Sequence, residues 1–355
     1  MASQVDSDSV GSSKGPDDDK ALSGLSFDSS APLLDVQELR VDFRTREGLA
    51  HAVNGVSFTV EAGKTLAILG ESGCGKSVTA QAIMGILDSP PAEIVGGKVL
   101  LSGVDLLTLD EDMRRKVRAN RIAMVFQDAL SALNPVFSVG WQLGEVFREH
   151  RDYSRKQAKQ EAIELLDMVG IPMAADRVND HPHQFSGGMR QRVMIAMALA
   201  LRPDVLIADE PTTALDVTVQ AQIMSLLADL QKDLNMGLIL ITHDIGVVAD
   251  IADDICVMYA GREAERADVY SIYAKPAHPY TKALLESIPR VDQKGQDLAS
   301  IKGLPPNLTQ MPPGCAFHPR CRFARDRCKE ETPPLYEVGG GRQSACHYYE
   351  EVLQA

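Results

Sequence analysis

The chain has 355 residues, 45% of them hydrophobic, which is long enough for one large α/β domain and a smaller appendage. No apolar run reaches the roughly 18 residues that cross a bilayer, and the N-terminus lacks a basic stretch followed by an apolar one, so neither a membrane span nor an export signal is expected. A net charge of −13 argues against broad binding to a nucleic-acid backbone, so nucleic acid is not an expected partner.

Residues 1–30 are rich in Ser, Gly and Asp, include Asp17-Asp18-Asp19 and offer little to bury; they read as a disordered tail. A strand-like segment, Leu39 to Phe43, follows. The apolar run ending Leu66-Ala67-Ile68-Leu69 then leads into Gly70-Glu71-Ser72-Gly73-Cys74-Gly75-Lys76-Ser77, a full match to G-x-x-x-x-G-K-[ST], and through Val78 into an amphipathic stretch. Strand, glycine loop and helix in that order form a phosphate cradle. Successive N–H groups turn inward, the helix presents its positive end, Lys76 reaches the β and γ oxygens, and Ser77 can ligate Mg²⁺. ATP or GTP is the expected ligand.

Further on, Ser154 caps a helical pattern of Ala158, Ala162, Leu165, Leu166 and Met168 that ends near Gly170 and Pro172. The segment Phe185-Ser186-Gly187-Gly188-Met189-Arg190-Gln191-Arg192 precedes a helix-compatible run from Val193 to Leu201. A hydroxyl, two bare glycine N–H groups and a helix N-terminus make a second anion surface there. The run Val205-Leu206-Ile207-Ala208 reads as a buried strand closing on Asp209-Glu210, at the carboxyl end where open α/β sheets place ligands. Asp209 suits Mg²⁺, and Glu210 suits the orientation or deprotonation of an attacking water. His243, after the strand Leu238 to Thr242, can donate a hydrogen bond to a γ-phosphate.

Together these motifs resemble those of ATP-binding cassette (ABC) proteins over about residues 33–290. The resemblance implies an α/β fold: a RecA-like parallel-sheet core with a β-rich N-terminal part, in an ATPase domain at 31–262 interrupted by a helical subdomain at about 128–202. It implies that Gln127 contacts Mg²⁺ and the lytic water, and that Lys76, Glu210 and His243 complete the catalytic set. Asp216 falls in the D-loop Ala214-Leu215-Asp216. Phe43 becomes the aromatic that stacks on adenine, with His51 the competing candidate. Ser186, Gly187 and Gly188 would close over the nucleotide of a second cassette, so hydrolysis would need two cassettes head to tail. Phe185 and Met189 depart from the family's commonest signature, Leu-Ser-Gly-Gly-Gln.

That departure resembles the signature of dipeptide and oligopeptide import ATPases, as does Ala277-His278-Pro279-Tyr280-Thr281-Lys282-Ala283-Leu284-Leu285 in the stretch after 263. The subfamily implies an ATPase subunit bound peripherally at the cytoplasmic face of the cell membrane. Its partners would be two transmembrane permease subunits, a second ATPase subunit and, indirectly, a substrate-binding protein. The same machine for nickel or another small solute is the first alternative, a non-transport cassette ATPase the second.

Four of the six cysteines, Cys315, Cys321, Cys328 and Cys346, fall in this C-terminal extension, 263–355. Soft ligands in a loop rich in Pro and Arg read as a metal-stapled module at 315–346. Zinc usually takes tighter Cys pairs, and stable disulfides do not suit a reducing cytosol. A [4Fe–4S] cluster accepts wider spacing, and the subfamily resemblance points the same way; zinc, with His318 or His347 replacing one cysteine, and no metal remain as alternatives. Arg320, Arg322, Arg325, Arg327 and Lys329 would help neutralise an anionic cluster.

Overall fold

The computed structural model describes residues 22, 24–128, 132–213, 215–288 and 301–355. The chain opens with an antiparallel hairpin of β1 (Leu34–Thr45) and β2 (Gly48–Val60), which β4 (Ala92–Leu101) and β5 (Val104–Asp105) extend into a sheet ordered β2-β1-β4-β5. Its strands alternate buried and exposed residues, as a sheet covered on one face must.

Uninterrupted apolar strands demand cover on both faces. Accordingly β3 (Thr65–Leu69), β7 (Val205–Asp209) and β8 (Gly237–Thr242) are buried at every position. With β6 (Ile122–Val125) and β9 (Asp254–Tyr259) they form a parallel core in the order β9-β3-β8-β7-β6. Alternate side chains of β3 serve different cores. Leu66 and Ile68 pack with the N-terminal sheet and α1 (Lys76–Met84), whereas Ala67 and Leu69 face the core shared with the helices of the second half.

Within the segment expected to be helical lie α3 (Val139–His150), α4 (Arg155–Met168) and α5 (Gly187–Leu199), after α2 (Glu111–Asn120), which precedes β6. Ser154 and Gln157 form a reciprocal capping box on α4, and Ala158, Ala162, Leu165 and Leu166 are buried beneath it. Met168, read as part of that apolar face, is instead 38% exposed, because the helix ends there. After β7 come α6 (Val217–Leu234) and, beyond β9, β10 (Arg262–Asp268) and α7 (Pro279–Glu286).

The last residues of the segment read as a tail make contacts with the rest of the chain: Leu22 is buried, the Arg121 guanidinium lies 4.0 Å above the Phe27 ring, and Asp28 N–H donates to the Ser102 carbonyl at 2.8 Å. Three apolar residues, Leu22, Leu25 and Phe27, pack on the second core. Residues 1–21 and 23 lie outside the described residues.

The C-terminal extension joins the main sheet. β12 (Arg342–Ser344) pairs with β10 and β11 (Tyr336–Gly339) pairs with β12, so the extension lengthens the main sheet. Glu265 of β10, buried, accepts the backbone N–H groups of Ala277 at 2.6 Å and His278 at 2.9 Å, and lies 3.7 Å from Arg342.

Candidate functional site

The loop from Gly70 to Gly75 joins the carboxyl end of β3 to the start of α1. Only glycine suits position 75. Its φ is +106°, and a Cβ there would stand 2.3 Å from the Ala52 carbonyl oxygen. Lys76, 5% exposed, points its Nζ back along the loop, 2.8 Å from the Gly70 carbonyl and 3.1 Å from that of Glu71. A cleft of about 720 Å³ opens over this loop.

Phe43, Ser72, Gly73, Gly75, Lys76, Ser77, Val78, Gln127, Glu210 and His243 all line the cleft. Gly70, Glu71 and Cys74 complete the loop behind it; Cys74 is buried, and burial pushes its thiol up. The two residues read as candidates for the aromatic position have different surroundings. Phe43 lines the cleft, while His51 turns its Nδ1 to Asp42, 2.8 Å away.

Parallel strands deliver the polar residues to one rim. Asp209, last residue of β7, accepts a hydrogen bond from Ser77 Oγ at 3.0 Å. Burial raises its carboxyl above the usual range; the Ser77 bond and Lys76 oppose that rise and Glu210 adds to it. Glu210 follows with φ +46°, a left-handed backbone rare outside glycine and common where strain serves a site. Its carboxylate accepts from Gln127 Nε2 at 3.1 Å and from Thr213 Oγ1 at 2.9 Å, and lies 3.3 Å from His243 Nδ1. Three separate segments after strands β6, β7 and β8 thus meet at one carboxylate. Thr213 carried no motif signal in the sequence.

The segment read as a second anion surface lies at the start of α5. Ser186 Oγ caps α5 by accepting the Met189 N–H at 3.4 Å, and Asp216 Oδ1 caps α6 by accepting that of Val219 at 3.0 Å. Ser186, Gly187, Gly188 and Asp216 are not among the residues lining the cleft. A Cβ on Gly188 would fall 2.4 Å from a Val219 methyl, so α5 and α6 need glycine to approach this closely. Ala214 lies outside the described residues.

Cys315, Cys321, Cys328 and Cys346 line one small cavity with Phe317, and all four are free thiols. Burial raises the thiols of Cys321 to about 11 and Cys346 to about 12, and that of Cys315 as well. Among the described residues no group of three or more His, Cys, Asp or Glu is arranged to hold a metal ion. The histidines read as substitute ligands are engaged: His347 uses Nδ1 with Tyr336 OH and Nε2 with the Glu331 carbonyl, and His318 uses Nδ1 with the Cys315 carbonyl. The basic residues read as counter-charges pair instead with carboxylates: Arg320 with Glu71, Arg322 with Glu286, Arg325 with Glu351, Arg327 with Glu331 and Lys329 with Asp326.

Comparison with known proteins bears on this geometry. The family described as ABC transporter matches residues 53–213, and that described as oligopeptide/dipeptide transporter, C-terminal region, matches residues 264–328. The dipeptide transport ATP-binding protein DppD of Bacillus subtilis is 52% identical over 289 residues, covering 81% of this chain and 86% of its own length. The oligopeptide transport ATP-binding protein OppD of Escherichia coli is 50% identical over 314 residues, 88% of this chain and 92% of its own. Among solved structures, the dimeric ATP-binding cassette MJ0796 bound to ADP and Pi superposes with a TM-score of 0.60 at 27% identity, covering 66% of this chain and 98% of that one. In the described residues no helix is long and apolar enough to cross a membrane. By its cleft, its strand order and these matches, the chain belongs to the ABC transporter family, in the branch of oligopeptide and dipeptide transport ATP-binding proteins.

Proposed function

We propose that this chain is the ATP-hydrolysing subunit of an importer of dipeptides or oligopeptides, working through separate membrane subunits. The observation that carries the reading is the carboxylate of Glu210, held by Gln127, Thr213 and His243 on the rim of the phosphate-loop cleft. The substrate is Mg·ATP. Lys76 and the loop N–H groups hold its phosphates, Ser77, Asp209 and Gln127 supply hard oxygen donors for its metal, and Phe43 stacks on its base. Glu210 orients a water toward the γ-phosphorus and accepts its proton. The new P–O bond forms as the bond to the β-phosphate oxygen breaks, and ADP leaves. His243 and Lys76 balance the charge gathering on the γ oxygens.

The surface from Ser186 to Gly188, turned away from its own cleft, serves the nucleotide of a second cassette subunit, with Asp216 at the same junction. Exposed Val136, Phe137 and Trp141, the last two stacked at 4.0 Å, form an apolar patch suited to the permease subunits at the cytoplasmic membrane face. We take 31–262 as the ATPase domain, with its helical subdomain at about 128–202, and 263–355 as the extension.

For the cysteine cavity the reading is a [4Fe–4S] cluster held by Cys315, Cys321, Cys328 and Cys346. What supports this reading is that all four thiols, Cys328 and Cys346 buried and Cys315 and Cys321 partly so, border one cavity, with a sequence spacing wider than the tight Cys pairs zinc usually takes. When bound, such a group would staple four chain segments together.

Reconstitution with permease subunits tests the function. ATP hydrolysis stimulated by a peptide-loaded binding protein is the expected result; stimulation only by a metal-loaded one would reassign the cargo.

A further inference from the structure

The C-terminal extension grips the phosphate loop at one residue, Glu71. Its carboxylate receives Arg320 in a two-pronged pair, Nη1 to Oε2 at 2.6 Å and Nη2 to Oε1 at 2.9 Å. Its backbone N–H donates to the Tyr280 hydroxyl at 2.8 Å. Its carbonyl in turn lies 3.1 Å from Lys76 Nζ. Both side chain and amide of this loop residue are therefore held by groups that lie far beyond the cassette motifs.

Arg320 is itself locked in place. Its side chain is 5% exposed, Nε donates to the Lys302 carbonyl at 3.2 Å, and Nη1 lies 3.3 Å from the Tyr259 hydroxyl. It ends the short turn His318–Arg320, which starts from the Cys315 carbonyl and runs straight into Cys321. Cys315 N–H is tied to the Cys328 carbonyl at 2.8 Å. Phe317, which lines the cysteine cavity, packs on Tyr259 at 5.2 Å and Tyr280 at 5.4 Å. Leu308, from the same extension, lines the nucleotide cleft itself.

We infer that Arg320 is a positioning residue for the phosphate loop, and that through its clamp on Glu71 the packing of the cysteine cavity sets the affinity for Mg·ATP. The inference rests on reading the cleft as the nucleotide site. Coupling of this kind is reciprocal: if an intact cavity tightens nucleotide binding, bound nucleotide must protect the cavity by the same factor.

The test uses the full chain, and the assembled transporter for kinetics. Arg320→Ala is expected to weaken Mg·ATP binding, and to raise KM for ATP, by about tenfold with kcat changed less than about twofold. A merely misfolded fraction would lower kcat and leave KM alone. Arg320→Lys, which keeps the charge but not the fork, should fall between, and Glu71→Gln should match Arg320→Ala. The double variant should be no worse than either single one, since each already breaks the same clamp. Mg·ATP should slow amide hydrogen exchange at Cys315, whose N–H is bonded to the Cys328 carbonyl, in the parent chain and not in Arg320→Ala. Unchanged affinity in both Arg320→Lys and Glu71→Gln, or additive losses in the double variant, overturns the clamp while the nucleotide site stands. A parent chain that binds no Mg·ATP overturns both.

Discussion

Ser77 Oγ and Asp209 Oδ1 are hydrogen-bonded at 3.0 Å although 132 positions separate them in the chain. The bond joins the first turn of α1 to the carboxyl end of β7, two strands away from β3 in the parallel core. A hydroxyl from the first turn of α1 and a carboxylate from the end of β7, brought together across the intervening β8, are what a phosphate-bound divalent ion requires. The chemistry of the cleft therefore follows from strand order.

Glu210→Gln keeps the size of the side chain and removes the base. Hydrolysis should fall by about 10²–10⁴-fold while Mg·ATP still binds, read by phosphate release and equilibrium nucleotide binding on one preparation. Equal loss of binding and turnover would remove Glu210 from the proton-transfer role.

Gly75→Ala places a methyl 2.3 Å from the Ala52 carbonyl at a φ of +106°. The loop must shift, so unfolding free energy should drop by about 2 kcal/mol and nucleotide binding should be lost. Denaturant titration and a binding isotherm check the two effects separately; a chain of parental stability that still binds would contradict them.

Phe43→Ala removes the aromatic wall of the cleft. Affinity for Mg·ATP should weaken by about 1–3 kcal/mol, the usual worth of stacking on a base, and Phe43→Tyr should restore most of it. An unchanged isotherm for Phe43→Ala would move base recognition elsewhere, Leu308 being the next apolar residue in the cleft.

Glu265→Ala would orphan the buried N–H groups of Ala277 and His278 and leave Arg342 without its carboxylate. A loss of about 2–5 kcal/mol is expected by chemical denaturation, with Glu265→Gln losing less because one acceptor oxygen survives. Equal losses would mean that the charge, not the acceptor, holds this corner.

Cys321→Ser in anaerobically purified protein should abolish bound iron and sulfide, and a 400 nm absorption band with them. Iron-free parent protein that is well folded would refute the cluster and leave the ATPase reading intact.

The nucleotide cleft was legible in the sequence because each part of it is local. Gly70 to Ser77 form one loop, Asp209-Glu210 close one strand, and His243 follows another, so parallel pairing alone had to bring them together. That His51 stands opposite Asp42 was not legible, because it depends on the register of β1 and β2. Arg320 was not legible at all. Its partner lies 249 positions away at a loop position whose side chain the phosphate motif leaves free, and counter-charge to a cluster explained a basic loop equally well. The packing of Leu22, Leu25 and Phe27 on the second core was not legible for a related reason: three apolar residues are too few to show a period.

The hairpin of β11 and β12 gives the main sheet its outer margin. Without it, β10 would present a row of unanswered N–H and C=O groups, a template that a strand from another molecule could join. The margin it substitutes is short, irregular and broken by Gly339, Gly340 and Gly341, a poor docking edge. Cutting the chain back to its cassette motifs would therefore trade a guarded sheet for a sticky one, and the minimal ATPase so obtained should be prone to associate through β10.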